Sequence, residues 1–111
     1  MLVITRNSGE SVMVGDDLMV TVLEIVANFV LISVSRRKSS ADPKSFNEVA
    51  QARLKRHEAI SLGPNASCRF VHVRGKRVRL GFMVPTTMRV DRKEIYDVMH
   101  SKSGDDGTAG G

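Results

Sequence analysis

The chain reads as a mainly β protein with helices: short antiparallel strands, a helix and further strands inserted in the middle, and a C-terminal helix. Three observations predict this. Runs rich in Val, Ile, Thr and Met are separated by tight-turn signals such as Asn7-Ser8-Gly9, Gly15-Asp16-Asp17 and Arg74-Gly75-Lys76. Phe46, Val49, Ala50 and Leu54 recur at helical spacing. Asp91, with Glu94 three residues later, matches a capped helix start, Asp standing in for Ser or Thr.

Taken in order, Met1 to Thr5 is short, apolar and β-branched, and Ser11 to Val14 is a second short strand. Met19 to Ile25 is a third, rich in Val, Thr and Ile, and Phe29 to Ser35 a fourth after a tight turn at Ala27-Asn28. These make an antiparallel meander. Arg36 to Ser40 is polar and loop-like. Asp42-Pro43 then offers an N-cap and a first-turn proline, so a helix is expected from Pro43 to about Ile60, ended by Gly63-Pro64-Asn65. Strands return at Ser67 to Val73 and Arg77 to Val84. In the latter, Val78, Leu80 and Phe82 alternate with Arg77, Arg79 and Gly81, which predicts one buried and one basic face. Pro85 ends it, and Thr87 to Val90 is a short last strand before a helix with Ile95, Val98 and Met99 as its apolar stripe. Residues 101–111 are rich in Gly, Ser and Asp and are expected to be a disordered tail. A shift of 48 residues lays Val30-Leu31-Ile32-Ser33-Val34 on Val78-Arg79-Leu80-Gly81-Phe82, and Ala27-Asn28 on Gly75-Lys76. A duplicated hairpin is one reading; few matches are identities, and hairpins resemble one another by chance.

A length of 111 residues fits one domain, and a core this small gains from self-association. The lone cysteine, Cys68, excludes a disulfide framework and argues against a cysteine metal site. No apolar run spans a bilayer and no signal peptide is evident, so the expected location is cytoplasmic, away from membranes. The net charge of +5 is unevenly spread. Residues 1–35 hold Arg6 against Glu10, Asp16, Asp17 and Glu24, whereas residues 69–93 hold eight Lys and Arg against Asp91 alone. Such a concentration suits phosphate binding, and equally a solvated basic face.

The opening Met1-Leu2-Val3-Ile4-Thr5-Arg6, Gly9-Glu10 and Met13-Val14-Gly15-Asp16, with Val78-Arg79-Leu80-Gly81, Pro85 and Val90-Asp91-Arg92-Lys93-Glu94-Ile95-Tyr96, resembles the start and end of the carbon storage regulator family (CsrA/RsmA). The likeness covers roughly residues 1–25 and 73–98. It implies one domain over residues 1–100, with residues 26–72 as an insertion. It also implies a small bacterial regulator of translation or message stability, an interlocked homodimer that binds GGA motifs in RNA hairpin loops. In that family the first strand of one subunit and the last strand of the other build each site. The resemblance therefore assigns RNA binding to Arg92 and Arg6, with Ile4, Thr5, Val90 and Ile95 beside them. No enzyme chemistry and no cofactor is implied, and a flagellar assembly protein is a possible antagonist by the same likeness.

Departures bear on affinity. Asn7 stands where the family often has a second arginine, and Asp91 where it often has histidine; Arg89 and Lys93 offer compensating charge. The alternative function is a protein-interaction module on the same fold with weakened RNA binding. Arg77 and Arg79 read as a solvated strand face or an auxiliary phosphate track, and Arg53, Lys55, Arg56 and His57 as a solvated helix face. His57, His72 and His100 lack metal-ligand spacing, and the carboxylates form no catalytic pair.

Overall fold

Period-two alternation decides which residues face inward. Along Arg77 to Phe82, Val78, Leu80 and Phe82 are buried while Arg77 and Arg79 are exposed. The computed structural model describes residues 1–39 and 42–105. Among these residues, nine strands lie in chain order: β1 Leu2–Asn7, β2 Ser11–Val14, β3 Leu18–Val26, β4 Phe29–Ser39, β5 Asp42–Lys55, β6 Ala59–Gly63, β7 Ala66–Arg74, β8 Arg77–Met83 and β9 Val90–Arg92. Among the described residues one helix, α1, covers Lys93–Asp105.

The strands form two antiparallel sheets, one ordered β1-β8-β7-β6 and the other β5-β4-β3-β2-β9. Their inner residues make one continuous apolar core: Ile4, Val78, Leu80, Phe82, Cys68 and Phe70 from the first sheet, and Val12, Val20, Val22, Val30, Ile32 and Leu54 from the second. The mainly β class with a C-terminal helix is thus as the sequence predicts.

The inserted helix is not. Residues 42–55 form β5, which pairs along β4 from Phe29↔Lys55 through Val34↔Ala50 to Ser39↔Asp42. Ala50, Ala52 and Leu54 turn toward the core at period two, and Val49, counted in the helical stripe, is 55% exposed. Ala, Gln, Arg, Leu and Lys favour helix locally. Pairing with β4, which satisfies backbone N–H and C=O groups over both strands, outweighs that weak preference. Arg36 to Ser39, read as loop, continues β4; Ser40 lies outside the described residues. Residues 101–105, expected in a disordered tail, continue α1, and the rest of that tail lies outside the described residues.

The repeat extends far beyond one hairpin. Adding 48 to the bounds of β3 (18 and 26) gives those of β7 (66 and 74). Every β3–β4 pair from Met19↔Ser35 to Val26↔Phe29 recurs in β7–β8, from Ser67↔Met83 to Arg74↔Arg77. The bulge between Val22 and Glu24 recurs between Phe70 and His72. The turn after β1 recurs after β5: Gly9 N–H donates to Val22 O at 2.7 Å and His57 N–H to Phe70 O at 2.7 Å, with φ of 89° and 75°. The Glu10 carboxylate accepts the Asn7 amide at 2.7 Å, as Glu58 accepts the Lys55 amide at 2.7 Å.

The two repeats exchange their first strands. β1 pairs with β8 of the second repeat (Arg6↔Val78), and β5 pairs with β4 of the first (Leu54↔Val30). These pairs are the same pair under the 48-residue shift taken in opposite directions. After β8 the chain crosses to the other sheet, where β9 pairs with β2 through Val12↔Arg92, Met13↔Asp91 and Val14↔Val90.

Candidate nucleic-acid interface

β1 is the outer strand of one sheet and β9 the outer strand of the other. Each therefore carries a row of backbone groups with no ladder partner. The crossing from β8 to β9 brings these two edges together. Thr5, Arg6 and Asn7 of β1, Glu10, Arg77 of β8, Arg92 of β9 and Glu94 of α1 line one cleft between them.

Arg6 is the most constrained side chain here. Its residue is only 5% exposed. Nη1 and Nη2 donate to Oε1 and Oε2 of Glu94, both at 2.8 Å, in a two-point fork. Nη1 also donates to Ser11 O at 3.0 Å, and Nε to Thr5 O at 3.1 Å. Glu10 Oε1 lies 3.6 Å from Nε. A buried charge persists only when paired, and Glu94 is the principal partner. The fork onto Arg6 holds the Glu94 carboxyl down at about 2, and Glu94 in turn raises the Arg6 guanidinium.

Arg92 is the opposite case. Its side chain is exposed and makes no hydrogen bond or close ion pair with any described residue, although its charge helps to hold the Glu94 carboxyl down, and it lines the same cleft as Arg6. It is the cation available to an incoming anion. Arg77, for which the sequence leaves open a solvated face and an auxiliary phosphate track, is exposed beside it and stands opposite Asn7 in the β1–β8 ladder.

A second set of contacts fixes where α1 begins. The buried Tyr96 donates its hydroxyl to Asp16 Oδ1 at 3.1 Å and accepts from Arg37 Nη2 at 3.0 Å. The Tyr96 ring stacks on His100 at 3.9 Å, and Arg37 lies over Phe46 at 4.9 Å. Burial first, then Asp16, pushes the Tyr96 phenol up. Gly15 N–H donates to Arg89 O at 2.7 Å, tying the crossing loop to the turn after β2. These anchors set the position of Glu94, and Glu94 sets Arg6.

The other predicted residues fall elsewhere. Ile4 is buried in the core. Val90 is half-buried opposite Val14, facing a different cleft shared with Met1, Leu2 and Phe82. Arg89 donates to both carboxylate oxygens of Asp91, at 3.2 and 3.1 Å, in a cleft with Tyr96 and His100. Asp91 therefore sits in β9 neutralising Arg89 and is not the helix cap. Ile95 is 47% exposed, and Val98 and Met99 also face outward, so the expected apolar stripe of α1 is not its buried face; Tyr96 is. Sequence reading missed the pairing of Glu94 with Arg6. Its only trace was the Glu94 capping pattern, which points to the local helix and not to a strand 88 positions away.

The model of the global regulator protein family CsrA matches residues 1–40 and 53–101, most of the chain. The chain belongs to the CsrA family. A relative named translational regulator CsrA, from Brachyspira hyodysenteriae, is 31% identical over 47 residues, which is 42% of this chain and 57% of that protein. The chain thus spans little more than half the length of that relative. No solved structure matches it significantly. The unmatched gap between the two family segments holds most of β5, the strand whose local sequence favours helix. No helix among the described residues is long and apolar enough to cross a membrane.

Proposed function

We propose that this CsrA-family chain is a post-transcriptional regulator that binds GGA-containing RNA loops and thereby controls translation or message stability. The observation that carries the reading is the cleft in which β1 and β9, from opposite ends of the chain, place Thr5, Arg6 and Arg92 together. Two strand edges supply backbone donors and acceptors for the base edges of an unstacked loop. Arg92 and Arg77 supply charge for phosphates or a fork for guanine. The work of Arg6 is to hold β1 against the start of α1 through its fork onto Glu94. Regulation of this kind needs only occupancy: a bound loop is closed to the ribosome or to a nuclease.

The decisive experiment is a gel-shift titration against a GGA-loop hairpin, with a scrambled-loop control. Arg92→Ala is expected to weaken binding roughly 10- to 100-fold, from the loss of about 1.5–3 kcal/mol of charge-assisted hydrogen bonding. Equal affinity for both loops, or an Arg92→Ala variant that binds as before, sinks the proposal. Affinity is also expected to fall steeply with salt, as counterions are released from phosphates.

One observation favours the second reading, a protein-interaction module. Glu94 neutralises Arg6, and Asn7 contributes no charge, so the cleft holds three guanidiniums against two carboxylates. Failure of the hairpin assay would leave that reading standing.

A further inference from the structure

The two repeats are related by reciprocal strand exchange, yet only one of them is followed by a last strand and helix. The first repeat runs from β4 directly into β5, whereas the second continues from β8 through β9 into α1. The described residues therefore hold two places equivalent under the 48-residue shift and a single β9–α1 unit to serve them.

The two places differ in a consistent way. Arg6 maps onto Leu54, which is buried against Val30 in the apolar core. That exchange has a physical reason. A buried guanidinium at position 54 would lack the Glu94 that sustains Arg6, and an unpaired buried charge is costly. Thr5, which faces the cleft, maps onto Arg53, whose guanidinium lies over the Phe29 ring at 4.6 Å. Glu10 maps onto Glu58, and both serve the turn in the same manner, so the turn is kept where Arg6 and Thr5 are replaced.

The edge that receives β9 differs too. Met13 of β2 is fully buried and pairs with Asp91 of β9. Its counterpart is Ser61 of β6, exposed, with its hydroxyl hydrogen-bonded to the Gly63 backbone. The pairing of β6 with β7 shifts register between Ser61 and Gly63, and Gly63 sits at φ 144°. An irregular, polar, short edge is adapted to water and not to a missing strand.

We infer that this chain is a one-chain pseudo-dimer: it completes one RNA cleft in cis, with Arg6 and Arg92 from the same molecule, and its pseudo-equivalent place at Leu54 binds no RNA. Residues 42–74 are on this view the first three strands of a second copy and not an appendage. The inference rests on the proposed function for the ligand, but not for the architecture. A second copy of the chain is not needed to supply either strand of the cleft, and one chain holds one loop, so it cannot bridge two GGA hairpins of a message by itself.

Light scattering, followed by native mass spectrometry with a synthetic GGA hairpin, tests this on the full chain. The expected mass without RNA is that of one chain, 12.2 kDa. With excess hairpin it rises by one RNA and no more, and an RNA bearing two GGA hairpins loads two chains. A two-chain mass, or two hairpins on one chain, overturns the inference. Leu54→Ala is expected to leave the stoichiometry unchanged, while Arg92→Glu abolishes the complex without altering the one-chain mass. A one-chain mass with no hairpin bound would instead overturn the RNA reading and its site count, while upholding the architecture.

Discussion

At the scale of single residues, the contrast between Arg6 and Arg92 matters most. Both are arginines at the rim of one cleft, but Arg6 spends its donors on Glu94, Ser11 and Thr5, and Arg92 spends none on the protein. The Glu94 carboxyl, held at about 2 by Arg6, titrates below an ordinary glutamate. Folding thus favours its ionised form, so the stabilisation is complete above the usual carboxylate range and is lost as pH falls toward 2. Glu94→Gln is expected to lower the urea midpoint at pH 6, and the gap between variant and native protein to narrow steadily below pH 4. A gap independent of pH would show that the fork contributes nothing through charge. The effect is modest, because the Glu94 side chain is 58% exposed and solvent screens the pair. Arg92→Ala is expected to leave the melting temperature essentially unchanged, because its side chain is exposed and its charge interaction with Glu94 is screened by solvent.

At the scale of elements, β5 separates local preference from tertiary outcome. Its residues favour helix, yet it lies antiparallel along β4. The helical content measurable by far-ultraviolet circular dichroism is expected to match the 13 residues of α1. A spectrum requiring a second helix of similar length would refute the β5 assignment. Leu54→Ala removes a buried side chain at the β5–β4 contact and is expected to cost about 2–5 kcal/mol, read from chemical denaturation. Much of the remaining element order was legible. β1 through β4, β7 and β8 announce themselves by β-branched runs and turn residues, and alternation along Arg77 to Phe82 gives the correct buried face. The capped helix start was read at the right place but for the wrong contact: Asp91 serves Arg89, and Glu94 serves Arg6.

At the scale of the whole molecule, both sheets share one core, so opening either exposes the other. Cys68 reports on this. It is fully buried in β7, and burial pushes its thiol up to about 12. The thiol is expected to resist a disulfide reagent under native conditions and to react at once in denaturant, with protection tracking global stability. Rapid native labelling would mean that the β7 region opens independently. Phe82→Ala, at the centre of the same core, is expected to cost about 3–5 kcal/mol and to unprotect Cys68.

The sequence by itself determined the strand-rich class, most of the turn positions, the buried face of Arg77 to Phe82, the likeness to the CsrA family and the two arginines at opposite ends of the chain. These follow from short-range chemistry: β-branched alternation, residues suited to turns, and motif blocks readable within about ten positions. Only the tertiary structure decided that residues 42–55 are a strand, that Arg6 pairs with Glu94, and that the two repeats trade first strands. Each of these depends on partners distant along the chain. β5 is settled by the open edge of β4, Arg6 by a carboxylate that the crossing to β9 delivers, and the exchange by which edge each first strand reaches. A 48-residue shift with few identities hints at duplication, but only backbone pairing, which recurs whatever the side chains, makes the two halves recognisable as one unit used twice.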